Sequence, residues 1–299
     1  MLDVCLLGTG GMMPLPQRFL TSLYVLTDGH ALLIDCGEST QTAMRLADCR
    51  FKPIDAIFIT HYHADHISGL MGFLLTMGNE MRTEPVDIYG PEGLRSVISG
   101  LRVIVPQLPF ELRLHEVEAG DEVTACGLKI TAFKCNHKIK CLGYRIIQDR
   151  LPKFNPGKAK ANNVPIRYWN ILQHGTPING FEPQDVLDSP RRGLKLLYST
   201  DTRPVRDIEE LGEDADLMIL EGMYGSDEKI DRMLETGHML MSEAARLANN
   251  AGAKRLWLTH YSPAEAHPEE YLEQLQTLCP RLEIPEDGKR ELLRFEEED

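Results

Sequence analysis

Short apolar runs separated by turn residues fill the first part of the chain. "DVCLLGTGG", "SLYVLT", "ALLIDCGES" and "IDAIFIT" each predict a strand of roughly four to seven residues. Between and after them, "TQTAMRLAD" and "SGLMGFLLTM" carry the spacing of helices that turn one face to a core. "VDIYGP" predicts a further strand followed by a helix over 94–99, and "LKITAFKC" and "LGYRIIQ" predict a strand pair. The rhythm stops over 151–192, a stretch rich in Pro, Gly and Asn. It resumes with "LKLLYSTDT" and "ADLMILEG" as buried strands, "SEAARLANNA" as a helix, "RLWLTH" as a strand and "PEEYLEQLQTL" as a closing helix. Alternating strands and helices imply an α/β architecture with helices packed outside sheets. No internal repeat is present, so 1–299 reads as a single domain and 151–192 as an insertion projecting from it.

Composition adds three constraints. No apolar run approaches the roughly 20 residues needed to span a bilayer, and "MLDVCLLGTGG" reads as a first strand rather than a signal peptide. The seven cysteines are scattered without a CxxC, which predicts reduced, mostly buried thiols and a cytoplasmic protein. The net charge of -13 argues against an evenly spread nucleic-acid surface. The charge is uneven, however. Residues 150–181 contain no Asp or Glu but hold Arg150, Lys153, Lys158, Lys160 and Arg167, while acids gather elsewhere, as in the tail "FEEED". A basic segment on an acidic body predicts a local anionic contact, with a solvated surface loop as the alternative.

The densest chemistry lies in "THYHADHISGL", where His61, His63, Asp65 and His66 fall within six residues. This loop joins a buried strand to a helix, at the strand's carboxyl end, where α/β proteins bind ligands. His61 and His63 are two apart, so extended backbone directs both rings to one side. Asp65 and His66 enter the helix and face a neighbouring position, an arrangement that suits two cations better than one. Imidazole with some carboxylate suits zinc. Further ligands should also follow apolar strands. His137 after "ITAFKCN", Asp201 after "LKLLYST" and His260 after "RLWLT" do so. His30, His115, His174 and His267 lack this placement and read as ordinary polar residues.

With "THYHADH", "NHKIKCLGYRI", "LYSTDTRP" and "LTHYSP" in this order, nearly the whole chain resembles the metallo-β-lactamase superfamily. Within it, "GYRI" and "STDTRP" are similar to the ribonuclease Z branch, the tRNA 3′-processing endonucleases. The resemblance implies a four-layered αβ/βα sandwich with a protruding inserted arm and a site at the sheet edges. It implies one zinc on His61, His63, His137 and Asp201, and a second on Asp65, His66, His260 and a bridging Asp201, with Mn or Fe accepting similar ligands. Asp65 would orient or deprotonate the attacking water. His238 in "ETGHM" would protonate the leaving group, partnered by Glu221 in "LMILEGMYG", although neighbouring hydroxyls usual in the family are replaced here by Gly-Met and Met-Leu. The segment 151–192 would be the substrate-binding arm that grips precursor tRNA, and the protein a homodimer in which the arm serves the opposite subunit. The arm's usual Gly-Pro tip is absent, and "PLPQRF" replaces the branch's usual front loop.

Three functions follow. The first is a zinc-dependent endoribonuclease that cleaves the 3′ trailer from precursor tRNA. The second is another phosphodiesterase or broader ribonuclease of the same fold. The third, a non-catalytic RNA-binding zinc protein, fits poorly, because structural zinc sites are closed and often cysteine-rich.

Overall fold

In the computed structural model, which describes residues 1–296, the chain forms two compact units. One comprises Met1–Gln148 and Leu194–Arg294; the other comprises Asp149–Gly193 with Phe295 and Glu296. The last three residues of the "FEEED" tail lie outside the described residues.

The larger unit carries two seven-stranded sheets. The first contains β1 (Leu2–Gly8), β2 (Ser22–Thr27) and β3 (His30–Ile34), paired antiparallel, then β4 (Ile54–Phe58), β5 (Val86–Gly90) and β6 (Leu112–Glu116), added in parallel. The second starts with an antiparallel meander of β7 (Glu122–Ala125), β8 (Leu128–Lys134) and β9 (Leu142–Arg150). It continues with β10 (Arg191–Tyr198) and the parallel strands β11 (Leu217–Glu221), β12 (Leu256–Thr259) and β13 (Leu282–Glu283). β14 (Lys289–Leu293) returns to the first sheet and pairs antiparallel with β1, Leu2 opposite Leu293.

Alternation along buried strands explains the layers. Ile57 and Ile59 point into a cluster with Met44, Phe73, Leu74 and Ile98 from the helices Thr40–Leu46, Leu70–Asn79 and Leu94–Leu101. Phe58, between them, points the other way and meets Tyr144 of β9 edge-on at 5.3 Å. The Tyr144 hydroxyl donates to the Ile59 carbonyl at 2.7 Å, so the sheets are bonded as well as packed. On the far side, Leu197, Met218, Leu220 and Leu258 pack against Ala244, Ala245, Ala248 and Leu275 of the helices Met241–Asn250 and Leu272–Gln276. The result is helix, sheet, sheet, helix: the four-layered αβ/βα sandwich of the metallo-β-lactamase fold.

The strands β6, β7, β13 and β14 have no counterpart in the apolar pattern, and "PEEYLEQLQTL" is not the last element. All four sit at or next to a sheet edge. "LRLHE", "EVTA" and "KRELL" expose alternate polar residues there, so they lack the apolar runs that mark central strands.

The smaller unit has its own core of Ala159, Val164, Leu172, Val186 and Leu187, with Phe154, Tyr168 and Trp169 packed against it. Its helix Pro156–Ala161 starts where the Asn155 side chain accepts from the Lys158 amide, with Pro156 at the first turn. Trp169 lies 5.1 Å from the Phe154 ring, and its Nε1 donates to the Val164 carbonyl at 2.9 Å, so it is a structural residue of this unit. Lys153, Lys158, Lys160 and Arg167 are all exposed, and Lys158 also donates to the Leu187 carbonyl at 2.8 Å.

Candidate metal centre

Six strand ends build the site. Asp35 follows β3, His61 and His63 follow β4, His137 follows β8, Asp201 follows β10, Glu221 ends β11 and His260 follows β12. His63 precedes the short helix Ala64–Ile67, which carries Asp65 and His66. Asp35 and His260 take positive φ values of 58° and 59°, which turn each chain sharply out of its strand. Gly11 makes room for the second turn, because a Cβ there would stand 2.6 Å from the His260 ring.

The seven predicted ligand residues converge as two groups sharing Asp201. In the first, His61 Nε2 lies 3.0 Å from His63 Nδ1, and His63 Nδ1 lies 3.3 Å from His137 Nε2. Asp201 Oδ2 completes the group at 3.5 Å from His61 Nε2 and 3.7 Å from His137 Nε2. In the second, His66 Nε2 and His260 Nε2 are 3.2 Å apart and lie 3.6 and 3.4 Å from Asp65 Oδ2. Asp201 Oδ1 stands 3.1 and 3.0 Å from the same two nitrogens. Each Asp201 oxygen therefore faces one group. Asp201 Oδ1 and His260 Nδ1 are buried without a hydrogen-bond partner, which is unusual for buried polar atoms. A tetrahedral cation with bonds of about 2.0–2.1 Å separates its ligands by roughly 3.3 Å. Both groups match that spacing, and their nitrogen and oxygen donors suit zinc, manganese or iron. The histidines His30, His115, His174 and His267 lie elsewhere, each bonded to an adjacent carboxylate or carbonyl.

A second set of residues, not apparent from the motifs, fixes these rings. Asp35, fully buried, accepts from His66 Nδ1 at 2.8 Å and from the Thr60 amide and hydroxyl at 2.8 Å each. The Thr60 hydroxyl, donating to Asp35, accepts from His61 Nδ1 at 3.1 Å. His137 Nδ1 donates to the Gly237 carbonyl at 3.0 Å. These acceptors hold the proton on Nδ1 and leave the Nε2 lone pairs of His61, His66 and His137 directed inward. Asp35 ends "ALLID", so its only sequence signal is a carboxylate closing a buried strand.

Burial depresses His61, aided by the neighbouring His66. Burial likewise lowers His137, to about 4, against the pull of Asp201. Burial opposes charge on His66 too, yet Asp201 and Asp35 outweigh it and raise this imidazole well above the usual range. Burial would raise Asp201, but His260, His66 and His61 hold it well below the ordinary carboxylate range. The centre thus keeps Asp201 anionic beside two rings, His61 and His137, that burial holds in the neutral form, and a third, His66, whose proton the carboxylates retain.

His238 behaves differently. Its Nδ1 lies 3.9 Å from Asp201 Oδ2 but 2.9 Å from Glu221 Oε2. Glu221 is fully buried and also accepts from the Thr202 amide. Arg203 fixes the backbone here, donating to the His238 carbonyl at 2.5 Å and gripping both oxygens of Glu243, which in turn accepts from the Leu240 amide at 3.0 Å. Burial alone would lower His238, but Glu221, then Asp201 and Asp65, raise it to about 9. Since the folded value exceeds the ordinary 6.5, stability from this pair is complete below about pH 6.5 and is lost as pH rises through about 9. Glu221→Gln is expected to bring the His238 titration down and to flatten the stability profile over that window. NMR titration of the His238 ring protons checks this, and an unchanged titration contradicts it.

A model described as "Beta-lactamase superfamily domain" matches residues 177–261, and one described as "Anti-Pycsar protein Apyc1" matches residues 2–144. Ribonuclease Z of Lachnospira eligens is 48% identical, with all of both chains aligned. Ribonuclease Z of Lachnoclostridium phytofermentans is 50% identical over 99% of each. Among solved structures, the short form of human tRNase Z superposes with a TM-score of 0.72 at 26% identity, covering 98% of this chain and 100% of that one. YhfI of Bacillus subtilis shares the fold at a TM-score of 0.69 and 21% identity, covering 97% of this chain and 98% of that one. With end-to-end identity to these relatives and a donor set gathered at the ends of two facing sheets, the chain belongs to the ribonuclease Z family, the endoribonucleases of the metallo-β-lactamase superfamily.

Proposed function

We propose that this protein removes the 3′ trailer from precursor tRNA by zinc-dependent hydrolysis of one phosphodiester. The observation that carries the reading is two donor groups meeting at Asp201, with His238, bonded to Glu221, beside them; His238 also stands with Asp201 and His260 as a third possible donor group, and its bond to Glu221 favours the acid role. His61, His63, His137 and Asp201 would hold one zinc, and Asp65, His66, His260 and Asp201 the other. Such a pair, when bound, supplies a water of lowered pKa and neutralises charge on both the attacking and leaving oxygens. Asp65, at the edge of its group, orients the attacking water and accepts its proton. His238 Nδ1 is committed to Glu221, so its Nε2 carries the proton to the departing O3′. Glu221 steadies the positive ring before transfer and fixes its orientation. Breaking the bond on that side leaves a 3′-hydroxyl on the tRNA body and a 5′-phosphate on the trailer.

Seven free cysteines are consistent with work in the cytoplasm, and no helix among the described residues is long and apolar enough to cross a membrane. The smaller unit serves as the tRNA-gripping arm, within a homodimer in which each arm serves the opposite subunit. Its exposed Lys153, Lys160 and Arg167 supply phosphate contacts that the acidic body does not.

Incubation with a 3′-extended pre-tRNA, followed by mapping of the cut and its end groups, tests the function. A single cut at the trailer junction with these ends is expected; scattered cuts would favour the broader ribonuclease. His238→Ala should retain both metal ions and RNA affinity while the single-turnover rate drops by roughly 10²–10⁴-fold. Loss of metal in that variant would make His238 a ligand.

The arm makes a separate prediction. Replacing residues 155–188 with a short Gly-Ser turn should spare metal content and hydrolysis of bis(p-nitrophenyl) phosphate. Pre-tRNA cleavage should fall steeply, and the slope of log kcat/KM against log salt should shrink by about 0.7–0.9 per lost phosphate contact. Normal pre-tRNA processing by the deletion would remove the arm from substrate binding.

A further inference from the structure

The loop after β1, residues 9–19, lies against the metal centre and is held from its base. Its two limbs meet where the Gly10 amide donates to the Phe19 carbonyl at 2.9 Å, and again where the Leu15 amide donates to the Arg18 carbonyl at 2.9 Å. Thr9 at the base is buried, whereas Met12 and Met13 near the tip are each 54% exposed. Packing therefore does little to place the tip. Yet the Met12 amide donates to Asp65 Oδ2 at 2.7 Å, the oxygen that faces Nε2 of both His66 and His260. Met12 also holds a φ of 69°, a left-handed conformation seldom adopted outside Gly, Asn and Asp. An exposed and strained tip keeps its bond to Asp65 only if something else fixes the limbs.

Asp287 does so. It lies in "PEDGK", between β13 and β14, in a tight turn where the Lys289 amide donates to the Glu286 carbonyl at 3.2 Å and Gly288 takes a φ of 83°. One oxygen of Asp287 accepts from the Thr9 amide and the Thr9 hydroxyl at 2.8 Å each, and the other accepts from the Phe19 amide. A single side chain thus grips both limbs. Two further bonds seat the hairpin: the Gly11 amide donates to the Tyr261 carbonyl at 3.0 Å, and Arg18 donates to the Glu265 carbonyl at 2.8 Å.

We propose that Asp287 is a positioning residue for hydrolysis: it seats the hairpin 9–19 so that the Met12 amide holds Asp65 in one orientation toward the attacking water. The inference rests on the endoribonuclease reading above and extends it to a residue remote from the ligand set. Donors behind a ligating carboxylate fix its direction, and a misplacement of about 1 Å can cost roughly 100-fold in rate.

Asp287→Asn tests it, because the side chain keeps its shape while an NH2 group is set against a donating amide. Two readouts are taken on the zinc-loaded protein, well below its melting temperature. In the first, 15N-methionine labelling reports the Met12 amide, identified by its disappearance in Met12→Leu. Asp287→Asn should move that proton upfield and speed its solvent exchange, with metal content retained. In the second, the single-turnover rate should fall roughly 10–100-fold on both pre-tRNA and bis(p-nitrophenyl) phosphate, while half-saturation by pre-tRNA stays within about twofold. Thr9→Val, which removes one of the three bonds, should act in the same direction by roughly threefold to tenfold. Thr9→Ser, which keeps the hydroxyl, should restore the wild-type rate. This pair carries the test if Asp287→Asn does not fold.

An unchanged Met12 resonance in Asp287→Asn, or an unchanged single-turnover rate, overturns the assignment. So does a defect confined to pre-tRNA and expressed as weaker half-saturation, which would make the hairpin an RNA contact instead. If wild type leaves pre-tRNA intact but Asp287→Asn slows bis(p-nitrophenyl) phosphate hydrolysis and moves the Met12 resonance, the positioning role stands and the tRNA reading fails. If wild type trims pre-tRNA and Asp287→Asn cuts like it, the tRNA reading stands and the positioning role fails.

Discussion

Asp201 sits in a ring of imidazole nitrogens, fully surrounded by protein, with each oxygen aimed at a different group. Electron-rich atoms gathered this closely gain little from one another. Only some of the nitrogen pairs can share a proton, and one carboxylate oxygen has no donor at all. Cations between them would turn mutual repulsion into bonding, and the spacing of both groups is that of ligands around a small ion. The sandwich is best understood as the frame that makes this crowding possible. Buried strands end together, and each delivers its polar residues at or just past its last apolar position.

The frame also separates roles among chemically identical side chains. His61, His66 and His137 have Nδ1 anchored by Asp35 through Thr60, by Asp35 directly and by the Gly237 carbonyl, which frees Nε2 for the centre. His238 has Nδ1 anchored by a buried carboxylate instead, and this raises its proton affinity. On the proposed reading, ligand and acid would be distinguished by what holds the far nitrogen. Gly237 links the two sets: its carbonyl accepts a hydrogen bond from His137 Nδ1, and its φ of 83° turns the chain into His238.

Much of this is legible in the sequence. The H-x-H-x-D-H spacing, and the appearance of His137, Asp201 and His260 directly after apolar strands, single out all seven residues, and in the fold they converge. The resemblance identifies the fold and the family. The outer residues are harder to see. Asp35 reaches Thr60 and His66, and Arg203 reaches His238 and Glu243, across tens of residues, and no local pattern encodes a partner that distant. Gly11 matters only because the His260 ring lies over it. The edge strands escape notice for the opposite reason: β6, β7 and β14 mix exposed polar residues with covered ones, so their composition resembles that of loops, and β13 is only two residues long. Trp169 and Tyr168 offer either a stacking surface or a small core, and packing around Phe154 and Val164 resolves Trp169 as core.

The central claim is that Asp201 joins two metal ions held by nitrogen and oxygen alone. X-ray absorption spectroscopy on the zinc-loaded protein addresses it directly. The account predicts a first shell of nitrogen and oxygen at about 2.0–2.1 Å and a zinc scatterer at roughly 3.5–4 Å. Cys141 provides the contrast, because its Sγ lies only 3.6 Å from His61 Nδ1. A sulfur shell near 2.3 Å, or the absence of any metal neighbour, would contradict the shared-carboxylate centre.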